Sequence, residues 1–163
     1  MICLKEPITE SNHRKDVKMD KTIISNHLYN DSIPQAVKFI NSINDEETLF
    51  LYAYNYNWDN GFDIPSAILK NKTCSLSIAL TLFFASDGLL YLQDKDSADG
   101  TKTWIAFIGS LYKRILNGEY TPGKTGFTPN LTKVQEFKLR KILNDSEMLF
   151  ITPIDGINCY TNL

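Results

Sequence analysis

The sequence predicts an all-α fold, a compact array of about six helices in antiparallel pairs. Apolar residues recur at helical spacing through most of the chain, with capping residues before the runs and Gly or Asn after them. Strand-like character is confined to residues 148–154, where Pro153 limits it. We therefore expect at most one short strand, near the C-terminus.

The first predicted helices follow capping and charge signals. Residues 31–34, Asp-Ser-Ile-Pro, supply cap residues and an early proline for one helix. Three carboxylates at positions 45–47 favour the positive end of a second helix, which we expect to run to about Asn55. Pro65 then opens a short third helix, which ends before residues 71–73.

The later helices include the predicted centre of the fold. Residues 76–86 are apolar nearly all round, and a helix without a polar face is a central one. We expect residues 87–88, Asp-Gly, to close it. Residues 101–117 have the clearest amphipathic spacing. A loop rich in Gly and Pro, residues 118–130, separates them from a sixth helix at residues 132–144.

The chain length predicts one domain, residues 23–163, which follows a polar, irregular N-terminal arm of residues 1–22. The formal net charge is −2, but residues 45–99 contain nine carboxylates and only three lysines. This acidic middle is either a set of ordinary solvated helix ends or a face for a basic partner. The longest apolar run, residues 78–85, is too short to cross a bilayer, so no membrane role is expected.

Cysteines and histidines give no signal of a metal or cofactor. Cys3, Cys74 and Cys159 are widely scattered, which favours a reducing, cytoplasmic compartment over a disulfide framework. His13 and His27 have no Cys, Asp or Glu at ligand spacing, and we expect both to be surface or capping residues.

Residues 118–125, GEYTPGKT, satisfy the phosphate-binding pattern G-x-x-x-x-G-K-[ST]. Phosphate binding by this pattern requires a strand before the loop and a helix after it, so that loop amides cradle the phosphates. Here an amphipathic helix is predicted before the loop, and the following residues 126–129, Gly-Phe-Thr-Pro, are incompatible with a helix. We therefore expect no nucleotide at this loop.

The segment 54–65, YNYNWDNGFDIP, is the strongest candidate for a functional loop, because it combines aromatic, acidic and turn-forming residues. In a structural interpretation, residues 59–61 form a turn with Gly at positive φ, and Asp63 caps the next helix. In a binding interpretation, Trp58 and Phe62 anchor a partner. In a catalytic interpretation, Asp59 and Asp63 form an acid–base pair in an aromatic pocket.

Residues 56–65, YNWDNGFDIP, and residues 74–80, CSLSIAL, resemble a family of small bacterial proteins collected as a domain of unknown function. The shared features are an Asn-Trp-Asp-[Asp/Asn]-Gly-Phe-x-Ile-Pro loop followed by a Cys-x-Leu-x-x-Ala helix, and the family-like core covers about residues 50–117. More loosely, the whole chain is similar in type to immunity proteins of contact-dependent growth inhibition and related polymorphic toxin systems. That resemblance implies a small cytoplasmic protein without an active site.

The function we predict is that of an immunity protein, not an enzyme, which neutralises a cognate protein toxin by covering its active site or a nearby surface. The expected toxin is a basic nuclease, steered by the acidic middle of the chain. We do not expect the chain itself to bind nucleic acid. The predicted partner-binding residues are Trp58, Asp59, Phe62, Asp63, Asp94, Asp96 and Asp99. The alternatives are a hydrolase or transferase that uses Asp59, Asp63 and Asp87, and a helical scaffold without a toxin partner.

Overall fold

The computed structural model of the protein describes residues 20–95 and 100–163. These residues form a compact helical array without a β-strand, which confirms the all-α prediction. Two short 3-10 helices, Trp58–Asn60 and Asp145–Ile151, accompany the α-helices. The α-helices are α1 (Lys21–Asn30), α2 (Ile33–Ser42), α3 (Glu46–Tyr54), α4 (Asp63–Lys70), α5 (Leu76–Ala85), α6 (Gly88–Gln93), α7 (Lys102–Leu116) and α8 (Lys133–Ile142).

Helix α5 is the centre of the array, as its uniformly apolar sequence predicts. Its side chains from Ser77 to Phe83 are buried, and the helix contacts α3, α6 and α7. Helix α3 is also buried on most sides and contacts α1 and α4. Helix α2 packs against α1 and α4, and α8 packs against α6. The core therefore lies around α3 and α5, which have the longest runs of buried residues among the described helices.

Two helices begin where the sequence pattern did not place them. Asp20 caps α1, because its carboxylate accepts a hydrogen bond of 2.8 Å from the Thr22 N–H. The chain is thus helical from Lys21, whereas residues 1–19, most of the predicted arm, lie outside the described residues. Asp87 and Gly88 do end α5, but Asp87 takes a left-handed conformation (φ +63°) from which α6 starts at once.

The predicted C-terminal strand is wrong. Residues 145–151 form a 3-10 helix, because Asn144 and Glu147 make a reciprocal capping box at its start. The Asn144 side chain accepts from the Glu147 N–H (3.1 Å), and the Glu147 carboxylate accepts from the Asn144 N–H (3.0 Å). Local capping therefore overrides the strand-like run of apolar residues.

The C-terminal residues return to the loop that follows α7. Phe127 and Ile154 exchange both backbone hydrogen bonds, and Gly126 donates to the Ile157 carbonyl (2.9 Å). This close crossing needs Gly156, because a Cβ there would lie 2.6 Å from the Gly126 nitrogen. In the part of the chain that the structure describes, these contacts are isolated bridges, and no helix has the length and hydropathy needed to cross a membrane.

Candidate functional site

The loop between α3 and α4 is held rigid by its own hydrogen bonds. The Asn57 side chain accepts from the Asp59 N–H (3.1 Å), and the Tyr56 hydroxyl donates to the Gly61 carbonyl (2.8 Å). Gly61 has a φ of +81°, which confirms the predicted turn at residues 59–61. The predicted cap of α4 is wrong: the N-cap residue is Phe62, and Asp63 is the first residue of the helix.

An aromatic cluster fastens this loop to α7. Phe62 stacks on Phe107 with ring centroids 4.7 Å apart, and Trp58 lies 6.1 Å from Phe107 and 5.5 Å from Tyr56. Trp58 and Phe62 keep part of their surface exposed. Burial, with a smaller contribution from the Asp63 charge, raises the pKa of Tyr56 to about 12. The loop is therefore packed on the core side and open on the other.

Four of the seven predicted binding residues lie together. Asp59 and Asp63 are exposed beside the half-buried Trp58 and Phe62. Asp94 is exposed too, but it follows α6, whose Tyr91 packs against Trp104 and Tyr112 of α7. Tyr112 lies about 140° around α7 from Phe107, so α6 covers a different face. Asp96 and Asp99 lie outside the described residues.

The loop that matches the phosphate-binding pattern already holds an anion of the protein itself. The Glu46 carboxylate accepts from the Lys124 N–H (2.6 Å), the Thr125 N–H (3.0 Å) and the Thr125 hydroxyl (2.6 Å). Gly123 permits this approach, because a Cβ at that position would overlap the carboxylate. As the sequence predicts, an α-helix precedes the loop and none directly follows it. A phosphate at these amides would have to displace Glu46.

Buried hydroxyl groups complete the surroundings of Glu46. The Ser77 hydroxyl bonds the Thr125 hydroxyl (2.5 Å) and the Ser75 hydroxyl (2.7 Å). Burial alone would raise the pKa of Glu46, but the hydrogen bonds from Thr125, Lys124 and Ser75 outweigh it and hold the pKa below its ordinary value. The ionised carboxylate therefore has a structural role. We call the Glu46 carboxylate together with its donors on Ser75, Lys124 and Thr125 the Glu46 latch.

A buried carboxylate, Glu147, was not anticipated from the sequence. Glu147 is 2% exposed and accepts hydrogen bonds from the Lys95 ammonium and the Tyr112 hydroxyl through the same oxygen. Burial opposes ionisation, but the bonds from Lys95, Tyr112 and Asn144 lower the pKa of Glu147 below its ordinary value. Only the capping-box spacing of Asn144 and Glu147 could have signalled a special role for this residue.

The residues of the catalytic interpretation do not share one cavity. Asp87 lines a groove with Tyr54, Phe84 and Tyr160, whereas neither Asp59 nor Asp63 lines it. Among the described residues, no cluster of three or more His, Cys, Asp or Glu side chains could hold a metal ion.

Cys74 and His27 are both held in place by their surroundings. Burial raises the pKa of the Cys74 thiol to about 12, so this cysteine is protonated at neutral pH. His27 stacks on Phe39 (3.8 Å) and bonds Asp31 (2.8 Å). The prediction that His27 has no Cys, Asp or Glu at ligand spacing is therefore wrong, because Asp31 lies one helical turn away.

Residues 44–116 match the family model of a domain of unknown function, DUF4274. The DUF4274 segment begins just before α3 and ends with α7, so it includes the aromatic loop, the central α5 and Glu46. It agrees in position with the resemblance of residues 50–117 to a family of unknown function. No curated protein and no solved structure matches the chain.

Proposed function

We propose that the chain is a cytoplasmic immunity protein that binds and neutralises a bacterial toxin domain. The observation that carries the proposal is the loop at residues 56–63, where two half-buried aromatic rings lie beside two exposed carboxylates on a rigid turn. Rigid aromatic side chains at the centre of an interface and charges at its rim are the features from which protein interfaces obtain affinity and association rate.

The geometry of the loop supports binding because its side chains are already fixed and would lose little conformational entropy on binding. Trp58 is already fixed between Tyr56 and Phe107, so its exposed edge can contact a partner without a large loss of side-chain freedom. Asp59 and Asp63 lie at the edge of the same cluster and would attract a basic surface. The toxin domain that fits best is therefore a basic nuclease, whose cleft or adjacent surface the loop would cover.

Charge reversal on the loop tests the proposal. The double variant Asp59→Lys/Asp63→Lys should bind the toxin domain encoded next to this protein's gene at least about tenfold more weakly, since two attractive charges become repulsive. Because Asp63 lies in the first turn of α4, the variant should lose no more than about 1 kcal/mol of unfolding free energy. Affinity is measured by calorimetry, and protection by the residual activity of the toxin.

The exposed Asp155 supplies a matched control, because it is an acidic residue of the C-terminal segment, outside the loop. Asp155→Lys should leave affinity and protection unchanged. Equal affinities for the wild type, the double variant and the control would eliminate the loop as the binding surface. A neighbouring gene product that neither binds the wild type nor is inhibited by it would contradict the immunity function.

A further inference from the structure

A groove of about 370 Å³ lies between the C-terminal ends of α3 and α5 and the segments that contain Phe127 and Tyr160. Its volume falls in the range of sites that receive a side chain or a small ligand. Tyr54 meets Tyr160 edge to face at 5.3 Å, and Phe84 lies 5.8 Å from Phe127. Aromatic rings therefore form both walls.

The walls of this groove are fixed. Phe127 is 2% exposed and is held by its two backbone bonds to Ile154. The Tyr160 hydroxyl accepts from the Thr128 N–H at 3.2 Å. A groove that exists before its ligand arrives binds with less loss of conformational entropy.

The groove is electronegative. Among the described residues that line it, Asp87 carries the one formal charge. Helices α3 and α5 both end at the groove, at Tyr54 and Ala85, and the C-terminal end of a helix carries partial negative charge. Among the described residues other than glycine, Asp87 alone has a positive φ. Its side chain makes no capping hydrogen bond. The chemistry that complements these walls is an apolar group next to a cation.

Short connections along α3 and α7 link the groove to the aromatic loop. Tyr54 precedes Trp58 by four residues. The Trp104 indole N–H donates to the Ser86 carbonyl (2.8 Å) at the end of α5, and Phe107, on which Trp58 packs, lies about one turn further along α7. A partner that covers the loop can therefore reach the groove.

We propose that this groove receives an aromatic or aliphatic side chain of a partner protein, with an arginine or lysine of that partner next to Asp87. The inference rests on the proposed function, because it names a second contact of the same partner. The apolar side chain fills the space between the four rings, and the cation faces the carboxylate and the negative ends of α3 and α5.

The isolated, full-length protein can be tested with two dipeptide probes, N-acetyl-Trp-Arg amide and N-acetyl-Trp-Glu amide, in an ¹⁵N NMR titration. The arginine probe should shift the amide signals of groove residues, Thr81, Leu89 and Thr128 among them. It should bind about threefold more tightly than the glutamate probe, as expected for one solvent-accessible ion pair. Asp87→Asn should reduce that difference, which then rests on the negative ends of α3 and α5 alone, and asparagine also tolerates the left-handed backbone conformation.

Two exposed alanines allow a substitution that fills the groove and a matched control that does not. Ala85 is exposed and lines this groove, whereas Ala106 is exposed and lines a different groove between α4 and α7. Ala85→Trp should abolish binding of the arginine probe, and Ala106→Trp should leave it unchanged. Equal binding of both probes to the wild type, or equal effects of both Trp substitutions, would overturn the proposal. Self-association of the protein that Ala85→Trp removes would overturn it as well, in favour of a second copy of the chain.

The complex with the toxin distinguishes this inference from the function on which it rests. A wild-type protein that binds its toxin, together with an Ala85→Trp variant of undiminished affinity, would refute the groove and keep the immunity function. A wild-type protein that does not bind the toxin but does bind the arginine probe at the groove would refute the immunity function alone.

Discussion

Replacing Glu46 by Gln should break the Glu46 latch while keeping nearly the same side-chain volume. In the wild type, one carboxylate oxygen accepts two hydrogen bonds from Thr125 and the other accepts one from Lys124. Glutamine has a single carbonyl oxygen, so its NH₂ group must face at least one of these donors. The substitution therefore loses at least one bond, leaves at least one of these donors without its acceptor, and removes the charge from the remaining bonds.

The size of the effect follows from the bonds that change. A hydrogen bond to a charged group contributes about 1.5–3 kcal/mol, so we expect Glu46→Gln to lower the unfolding free energy by about 3 kcal/mol at pH 7. The pKa of Glu46 is lowered in the folded protein, so its contribution is complete above the unfolded value, about 4.3, and is lost as the pH falls through the folded value. The difference in unfolding free energy between the wild type and the variant should accordingly become smaller as the pH falls.

Urea unfolding followed by circular dichroism at several pH values between 7 and 3 measures this difference. Glu136→Gln is the matched control, because the Glu136–Arg140 pair is largely exposed and contributes only about 0.3–0.5 kcal/mol. Losses of the same size in the two variants at pH 7, or a difference for Glu46→Gln that persists unchanged at pH 3, would refute a structural role of the ionised carboxylate.

Two further predictions concern Gly88, which follows the C-terminal end of α5, and the buried Glu147. Gly88→Ala should lower the unfolding free energy by about 2 kcal/mol or more, because its Cβ would overlap the buried Phe83 ring and the Phe83 carbonyl; an unchanged urea midpoint would contradict this packing. Glu147→Gln should lower the thermal midpoint by roughly 5–10 °C through weaker bonds to Lys95 and Tyr112, whereas a calorimetric midpoint equal to that of wild type would exclude a stabilising network.

The sequence was sufficient for the helices whose own residues determine them. Residues 76–86 lack a polar face, and α5 is the most enclosed helix of the array. Residues 101–117 have regular apolar spacing, and α7 begins and ends within one residue of that prediction. In both cases local propensity and tertiary packing favour the same structure.

The misassigned elements depend on details that periodicity does not report. An Asp-Gly pair is a common helix terminator, and here it does end α5, but the left-handed Asp87 redirects the chain into α6 without a loop. Residues 148–154 have the composition of a strand, yet the capping box of Asn144 and Glu147 starts a 3-10 helix before them. In each case the conformation or the hydrogen bonds of one or two residues determine which element follows.

The candidate sites were predictable only where neighbours in sequence are neighbours in space. The turn at residues 59–61 and the proximity of Trp58 and Phe62 follow from local turn chemistry. In the Glu46 latch, Glu46 bonds Lys124 and Thr125, which follow it by 78 and 79 positions in the sequence. The groove combines Tyr54 with Tyr160. No pattern within a single segment encodes such contacts, so Glu46 gave the sequence signal of a helix N-terminus and nothing more.

Glu46 and Glu147 both join the DUF4274 segment to the part of the chain that follows it. Glu46 lies inside residues 44–116 and bonds the loop at residues 124–125, and Glu147 lies outside them and bonds Lys95 and Tyr112 within. The groove is divided in the same way, because Phe84 and Asp87 belong to the DUF4274 segment and Phe127 to the later part.

A DUF4274 segment without the later residues would lack one wall of this groove. The two carboxylates fix the position of that wall, since they tie both ends of the 124–147 region to the body of the protein. The ligand preference that we propose for the groove therefore depends on residues outside the matched segment. Proteins that share only that segment need not bind the partner that we propose for this chain.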